Sequence, residues 1–340
     1  MEIGVGFTPF ETRSDVVVRV AQHADRCGLD FVGVAEGWTH DALIVLAEIA
    51  LQTSRIGIGS GVINVLGRTP ATIALGAAGL QRCSGGRFTL GVGAGSPPLA
   101  EGFHGMEWNQ PITRMRETVV AVKALLDGQR LPEPVNGAAP LRLGSVPDVP
   151  VPLALAALSP SSIRLAGELA DDWVPFLWAR SRLGEGRALL ATGEKHADSA
   201  RPTRVCPAIP VALASTEEGA RALAAWWLTT YATRMGPIYP RLLSERFEMG
   251  RAMEAVVEAS TDGAPTLPTE ADGLADEVTL MGTYDDAADR IAAWLGATAD
   301  AVNLVLPPGR PEAELIEIVD IAAEVRRDAV DAPAETPPFS

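Results

Sequence analysis

The feature that most limits what this chain can fold into is a strict alternation of short apolar runs with longer helical ones over residues 1–127. Residues 3–8, 30–35, 56–63 and 87–93 read as strands, each short and apolar at nearly every position. A strand with one wet face would alternate polar and apolar residues, and these do not, so the sheet they form is parallel and covered on both faces. Parallel neighbours need crossover connections, and the intervening segments supply them as helices. The first helix, 13–27, carries Val17, Val20, Ala21, Ala24 and Cys27 at helical spacing, with Ser14 as its expected cap and Gly28 as its stop. The second, 41–52, is apolar almost all round. The third begins at Pro70, runs to Cys83 and is broken by Gly85-Gly86. The fourth, 111–127, sets Met115, Val119, Val122 and Leu126 on one stripe.

The alternation loosens and then resumes. Residues 131–150 hold Pro132, Pro134, Pro140, Pro147 and Pro150 and read as an irregular insertion. Strands follow at 151–157, 172–176, 205–213 and 301–306, with helices at 161–169, 181–196, from 216 to at least 228, 286–295 (capped by Thr283) and 312–327. Eight strands alternating with helices predict a (β/α)8 TIM barrel, with a doubly wound open sheet as the rival. The chain has 340 residues, which suits one such barrel carrying insertions. Residues 1–330 are expected to form that single domain, with insertions near 94–110, 130–150 and 230–275 and a flexible tail at 331–340. The insertions after the fourth and seventh strands fall on the C-terminal face of the barrel, where such folds place their chemistry.

Composition narrows the partners. The formal net charge is −15 and no Lys/Arg run relieves it, which argues against nucleic acid. Residues Cys27, Cys83 and Cys206 are odd in number and far apart, suggesting neither a disulfide framework nor a metal knuckle, so no metal is expected. The chain opens on a strand with no basic leader, and no apolar run reaches membrane-spanning length, so the expected location is the cytoplasm. Lys123 and Lys195 are the only lysines among 28 basic residues, a bias that GC-rich codons produce.

Two glycine-rich runs carry the chemistry. Thr53-Ser54-Arg55-Ile56-Gly57-Ile58-Gly59-Ser60-Gly61-Val62-Ile63-Asn64 leads into Arg68-Thr69-Pro70-Ala71. Leu80-Gln81-Arg82-Cys83-Ser84-Gly85-Gly86-Arg87-Phe88-Thr89-Leu90-Gly91-Val92-Gly93-Ala94-Gly95 follows. Residues 57–61 and 91–95 read Gly-x-Gly-x-Gly, which is not the dinucleotide fingerprint, since Val62 and Ser96 break it. The glycines serve either tight strand packing or a close approach of backbone to a flat ring and a phosphate. The pair of runs resembles the luciferase-like monooxygenase family of (β/α)8 flavin and deazaflavin enzymes. Residues 21–30, Arg114-Met115-Arg116-Glu117-Thr118, Ala157-Leu158-Ser159-Pro160 and 165–171 fit the same family. The likeness covers residues 1–180 well and thins out towards 330.

The resemblance implies a non-proline cis peptide at Gly61-Val62 against a tricyclic ring, and a cofactor site built from Glu36, Ser60, Gly61, Val62, Asn64, Ala94, Gly95, Ser96, Leu158, Ser159, Pro160 and Ser161. Bare N–H groups of Ala94, Gly95 and Ser96 are expected to meet the phosphate, as is the helix start from Leu158 to Ser161, where Ser161-Ser162 can equally be plain caps. Glu36 is either a solvated loop charge or faces the polar edge of the ring. Deazaflavin members follow this acid with His; here it is Gly37, so His40 or Asp41 stands in as the proton source beside Glu36. Phe7, Trp38, His104, Trp108 and Trp178 are expected around the substrate. His23 and His196 read as surface residues, and Trp226-Trp227 as core or dimer packing.

The activity implied is that of a coenzyme F420-dependent oxidoreductase, probed against an FMN-dependent monooxygenase and a non-catalytic flavin-binding relative. The substrate is a small molecule, with secondary metabolites and peptide side chains both open, and relatives imply a homodimer.

Overall fold

The computed structural model describes residues 2–132, 135–197, 201–260 and 265–331. Its strands are β1 (Glu2–Phe7), β2 (Phe31–Val34), β3 (Gly57–Ser60), β4 (Ile63–Asn64), β5 (Phe88–Gly93), β6 (Leu153–Leu155), β7 (Asp172–Trp173), β8 (Arg204–Val205), β9 (Ala208–Ala214), β10 (Leu280–Thr283) and β11 (Ala301–Val305). Every pairing is parallel, in the order β10-β9-β11-β1-β2-β3-β5-β6-β7-β8, with β4 also on β5. β8 and β9 are one run interrupted at Cys206-Pro207. β8 pairs with β7, β9 pairs with β11, and Phe176 bridges Ala208, so the sheet closes on itself. Closure removes the open-sheet alternative and leaves a (β/α)8 barrel.

The long helices wrap this ring: α1 (Ser14–Cys27), α2 (Ala42–Gln52), α3 (Pro70–Cys83), α5 (Pro111–Leu126), α6 (Pro160–Leu169), α7 (Leu183–Glu194), α8 (Glu217–Thr233), α12 (Ala287–Leu295) and α13 (Glu312–Asp331). Shorter helices α4 (Pro97–Gly102), α9 (Ile238–Arg241), α10 (Gly250–Ala259) and α11 (Asp272–Val278) lie in the insertions. Among the described residues no helix is long and apolar enough to cross a membrane.

The departures from expectation have local causes. The strand expected at 56–63 is broken into β3 and β4 around Gly61-Val62, whose peptide bond is cis. The strand expected at 205–213 is interrupted where Pro207 has no N–H to donate. The one expected at 172–176 keeps only β7 and the single bridge at Phe176. β10 was hidden in the polar stretch before Thr283; it pairs with the far half of β9, Leu280 opposite Val211, after β9 leaves β11. Helix α1 is preceded by Arg13, with Ser14 already helical and no side-chain cap. Asp286, not Thr283, precedes α12, and its carboxylate accepts from the Thr283 N–H and hydroxyl. Within 131–150 the described residues are irregular apart from a short 3-10 turn at Val135–Gly137, and Pro134 lies outside them. Asp331 ends α13; the tail expected beyond it lies outside the described residues.

The most distinctive motif in the sequence sits at the bottom of the barrel. Arg87 is half-buried and donates to the carbonyls of Ser84, Ile56, Ala50 and Thr53, and to the Thr53 hydroxyl. The Gln81 amide oxygen accepts from Phe88 N–H, and Gly85 and Gly86 take positive φ to let the chain reverse. Asp25 completes the clamp by accepting from the N–H groups of Ser54, Arg55 and Ile56. The Ser84–Phe88 run therefore holds helix ends to strand starts, on the face that serves stability.

At Gly91 the packing reading of the glycines holds. A Cβ there would stand 1.9 Å from the Ser60 carbonyl oxygen. Gly91→Ala should destabilise the fold by about 1–3 kcal/mol through this overlap. Gly184→Ala, in α7 with nothing within 4 Å, should leave stability unchanged or raise it by up to about 1 kcal/mol. Denaturant unfolding of both variants checks the pair; equal stability would show that β3 and β5 yield at this point.

Candidate active site

A cavity of about 450 Å³ opens at the C-terminal mouth of the barrel. Its floor is made by residues without bulk. Gly6 and Gly33 leave room for the Asn303 side chain, whose amide stands 2.8 and 3.4 Å from the positions their Cβ atoms would take. Asn303 interrupts the apolar strand β11, lines the cavity, and its buried Oδ1 accepts no hydrogen bond among the described residues. One wall is the break between β3 and β4, Gly61 and Val62; another is the corner after β6, from Ala156 to Ser159. The roof comes from both insertions: Leu99 and Trp108 from the first, Met235, Ile238 and Tyr239 from the second, with Tyr231 from α8.

The break in the third strand positions much of this. The β3–β5 ladder stops at Gly59, and the Ser60 hydroxyl then stands in for it, donating to the Gly91 carbonyl at 2.8 Å and accepting from the Gly91 N–H at 2.9 Å. Past it, Gly61 N–H donates to the Val34 carbonyl and Glu36 N–H to the Val62 carbonyl. Asn64 accepts from Leu66 N–H, and its buried amide nitrogen, which lacks a partner, lies where a Cβ on Gly95 would be. Gly95 takes φ +80°, which a side chain disfavours. The N–H groups of Ala94, Gly95 and Ser96 find no acceptor among the described residues, and all three residues line the cavity. Unpaired N–H groups in succession are the kind of donors that can receive an anion.

The second expected anion contact is more fully occupied. At the start of α6, Ser159 accepts from Ser162 N–H while Ser159 N–H donates to the Ser162 hydroxyl, a reciprocal cap. Pro160 has no N–H, so Ser161 N–H is the donor left over. Leu158 and Ser159 line the cavity; Pro160 and Ser161 do not.

Glu36 lines the cavity, and both its oxygens accept from Arg68, at 3.0 Å from Nε and 2.6 Å from Nη2. Arg68 Nη2 also pairs with Asp41 Oδ2 at 2.7 Å, and these hydrogen bonds, Glu36 foremost, hold the guanidinium pKa above its ordinary value. Asp41 Oδ1 caps α2 by accepting from Leu43 N–H. Neither His40 nor Asp41 lines the cavity, and the buried His40 Nε2 has no partner. In this arrangement both Glu36 oxygens are engaged by Arg68, and Asp41 contacts the same guanidinium.

Ser60 and Asn64 likewise stand behind the cavity rather than in it. Of the residues expected around the substrate, Phe7 and Trp108 line the cavity. Trp38 is exposed at the rim, edge-on to Phe10. His104 packs beside Gly67, its Nε2 buried and unpartnered. Trp178 is in the core, edge-on to Trp173 and Phe247 with the Arg246 guanidinium over its ring, and does not reach the cavity. Trp227 is also core, donating to the Val211 carbonyl, while Trp226 packs edge-on against Phe10.

Sequence reasoning missed Tyr231 and Tyr239. Their rings stand 5.0 Å apart, with Phe176 at 4.7 Å from Tyr231. Neither phenol hydrogen-bonds among the described residues, and burial pushes both pKa values up, so both keep their protons at neutral pH. Arg68 and Asn303 were missed as well. A lone Asn inside an apolar barrel strand was the available signal for the latter; nothing in the 230–275 stretch marked the tyrosines.

The luciferase-like monooxygenase family model matches residues 4–301. A protein of Mycobacterium tuberculosis provisionally named a coenzyme F420-dependent oxidoreductase is 26% identical over 336 residues, covering 89% of this chain and 92% of that one. The 5,10-methylenetetrahydromethanopterin reductase of Methanolobus tindarius is 25% identical over 331 residues, covering 94% and 98%. The structure of the coenzyme F420-dependent tetrahydromethanopterin reductase of Methanopyrus kandleri superposes with a TM-score of 0.75 at 20% identity, covering 94% and 97%. With a closed parallel barrel, a cis bond at Gly61-Val62 and the matched family model, the chain belongs to the luciferase-like monooxygenase family.

Proposed function

We propose that the protein is a cytoplasmic coenzyme F420-dependent oxidoreductase that acts on a small organic substrate, as a reductase. The observation that carries this reading is the run of free N–H groups at Ala94, Gly95 and Ser96 on the edge of an otherwise apolar cavity. An anionic phosphate meets donors there, while a flat ring meets Gly61, Val62 and the glycine floor without a clash. The naming of the mycobacterial relative supports the choice of cofactor. In its reduced form F420, when bound, would supply the hydride from C5 of its deazaflavin.

The chain's own residues then have separable tasks. Ala94, Gly95 and Ser96 hold the phosphate, with Ser161 N–H as an auxiliary donor. Gly61 and Val62 support the ring from one side, with Ser60 and Asn64 fixing them and the cradle from behind. Glu36 faces the ring's polar edge as a carboxylate held by Arg68, and Asp41 is a positioning residue for that pair. His40 is not in contact with the cavity, so the transferable protons nearest the substrate space are the Tyr231 and Tyr239 hydroxyls. Trp108, Phe7 and the roof of the insertions exclude water.

The assembly proposed is a homodimer through α2 and α3. Their outward faces leave Ile44 69%, Leu51 75% and Leu75 62% exposed. Glu48 is the sole charge on α2, so a second copy covers this apolar face better than water does.

The reading is tested by titrating the protein separately with F420 and FMN and following absorbance or fluorescence. F420 should bind more tightly, and Gly95→Val should weaken it at least roughly 10-fold by closing the cradle and opposing its φ. Tighter FMN binding would turn the assignment to a flavin monooxygenase, and equal affinity in Gly95→Val would remove the phosphate from this loop. Once a substrate is in hand, Tyr239→Phe and Tyr231→Phe should separate the proton source. Loss of turnover by about 10²–10⁴-fold in one, with cofactor affinity kept, identifies the donor; full rate in both returns the role to Glu36 or His40. In size-exclusion chromatography with light scattering, Leu51→Glu should convert the dimer to monomer. A wild-type monomer would refute the assembly.

A further inference from the structure

Outside the barrel wall, away from the cavity, three side chains of different chemistry converge. His23 and Cys27 sit one turn apart on α1, and Asp320 comes from α13, nearly 300 residues later. Asp320 Oδ1 stands 2.6 Å from His23 Nε2, Cys27 Sγ 3.3 Å from the same Nε2, and Cys27 Sγ 3.4 Å from Asp320 Oδ1. Among the described residues this is the one group of three or more His, Cys, Asp or Glu side chains whose ligand atoms all lie within 4.8 Å of one another.

We propose that His23, Cys27 and Asp320 form a Zn²⁺-class metal site joining the first and last helices of the barrel. The shape of the cluster separates this from a nucleophilic relay. A nucleophilic relay threads a proton through both ring nitrogens of the histidine, with the thiol on one and the carboxylate on the other. Here thiol and carboxylate share Nε2, so the three atoms form a closed triangle instead of a chain. A plain hydrogen-bond cluster, with Nε2–H and the Cys27 thiol both donating to Asp320 Oδ1, uses the same three atoms, and metal titration separates it from a site.

The triangle has the proportions a metal needs. With Zn–N, Zn–O and Zn–S bonds of about 2.0–2.3 Å at tetrahedral angles, the ligand–ligand edges come to about 3.3–3.6 Å. The two edges at sulfur already match, and the His–Asp edge has to open by about 0.7 Å, within the reach of a half-exposed aspartate. One imidazole, one thiolate and one carboxylate are a borderline donor set suited to Zn²⁺ or Co²⁺ rather than to Mg²⁺ or Ca²⁺. Cys27 gives its proton to solvent on binding, and water completes the fourth position, since Asp320 is half-exposed. The Arg19–Glu312 ion pair at 2.8 Å already fixes the two helices to each other, so the ligands meet in the folded chain. An unfolded chain holds His23 and Cys27 together but not Asp320. The metal therefore binds the native state preferentially and stabilises it.

The test uses untagged full-length protein carrying Cys83→Ser, which removes the exposed thiol, after chelator treatment. Added Co²⁺ should produce thiolate-to-metal charge-transfer absorption with the visible bands of a four-coordinate ion, and Zn²⁺ should abolish both. Zn²⁺ should raise Tm, and EDTA should return it. Cys27→Ser should lose the charge-transfer band, and His23→Ala and Asp320→Ala should each weaken Co²⁺ binding at least roughly 100-fold. No thiolate band in the parent, a band that survives Cys27→Ser, or undiminished affinity in the other two variants would overturn the proposal. All these readouts are independent of the cofactor and of turnover.

Discussion

The molecule depends on the point where its third barrel strand parts from its neighbour. Up to Gly59 the strand hydrogen-bonds β5 in the ordinary way; at Ser60 a side chain takes over, one hydroxyl serving both polar groups of Gly91. Each such bond is worth only about 1 kcal/mol net, but leaving the buried groups unpaired would cost more. The substitution lets the chain turn aside and re-enter as β4 without orphaning the ladder. Gly61 and Val62 thereby reach the cavity wall, and Asn64 reaches the back of the Gly95 loop. The ring support and the anion cradle proposed above are thus both placed by one interruption.

Charge is distributed so that the cavity stays apolar. Glu36 is the one carboxylate on its lining, and it is neutralised by a two-point contact with Arg68, which Asp41 holds from outside. The remaining polar atoms are few: the N–H groups of 94–96, Asn303, Thr8, serine hydroxyls and the two phenols. In such surroundings each is worth more than it would be in water, and an unpaired one costs more. The unpartnered Asn303 Oδ1 and Thr8 Oγ1 are where a bound molecule has most to gain.

How far the sequence could be read differed from one part to the next. The 94–96 loop was legible as a candidate through the family resemblance, and the structure adds the positive φ at Gly95 that glycine tolerates. The corner at Glu36 was half legible: the carboxylate was found, but its partner Arg68 lies 32 residues on, beyond any local pattern. His40 and Asp41 looked available only because nearness in sequence was taken for nearness to the cavity. Trp178 and His104 followed strands or lay in mouth loops, as pocket residues do, yet Phe247 and Arg246 of the second insertion pack on Trp178 and His104 turns to Gly67. The Ser84–Phe88 run identified the family while doing its work at the opposite end of the barrel.

Periodicity by itself determined the parallel, doubly covered sheet, the crossover helices and which strand ends would face the chemistry. Those properties follow from one residue's relation to the next few, and hydrophobic spacing records them directly. Only the tertiary structure decided which side chains fill the mouth: Tyr231 from the end of α8, Tyr239 from an aperiodic insertion, Asn303 between two glycines, Arg68 on Glu36. It also brought Asp320 against His23 and Cys27. These meetings are between residues far apart along the chain, set by closure of the ring and by the packing of its first helix on its last, and no local pattern encodes them.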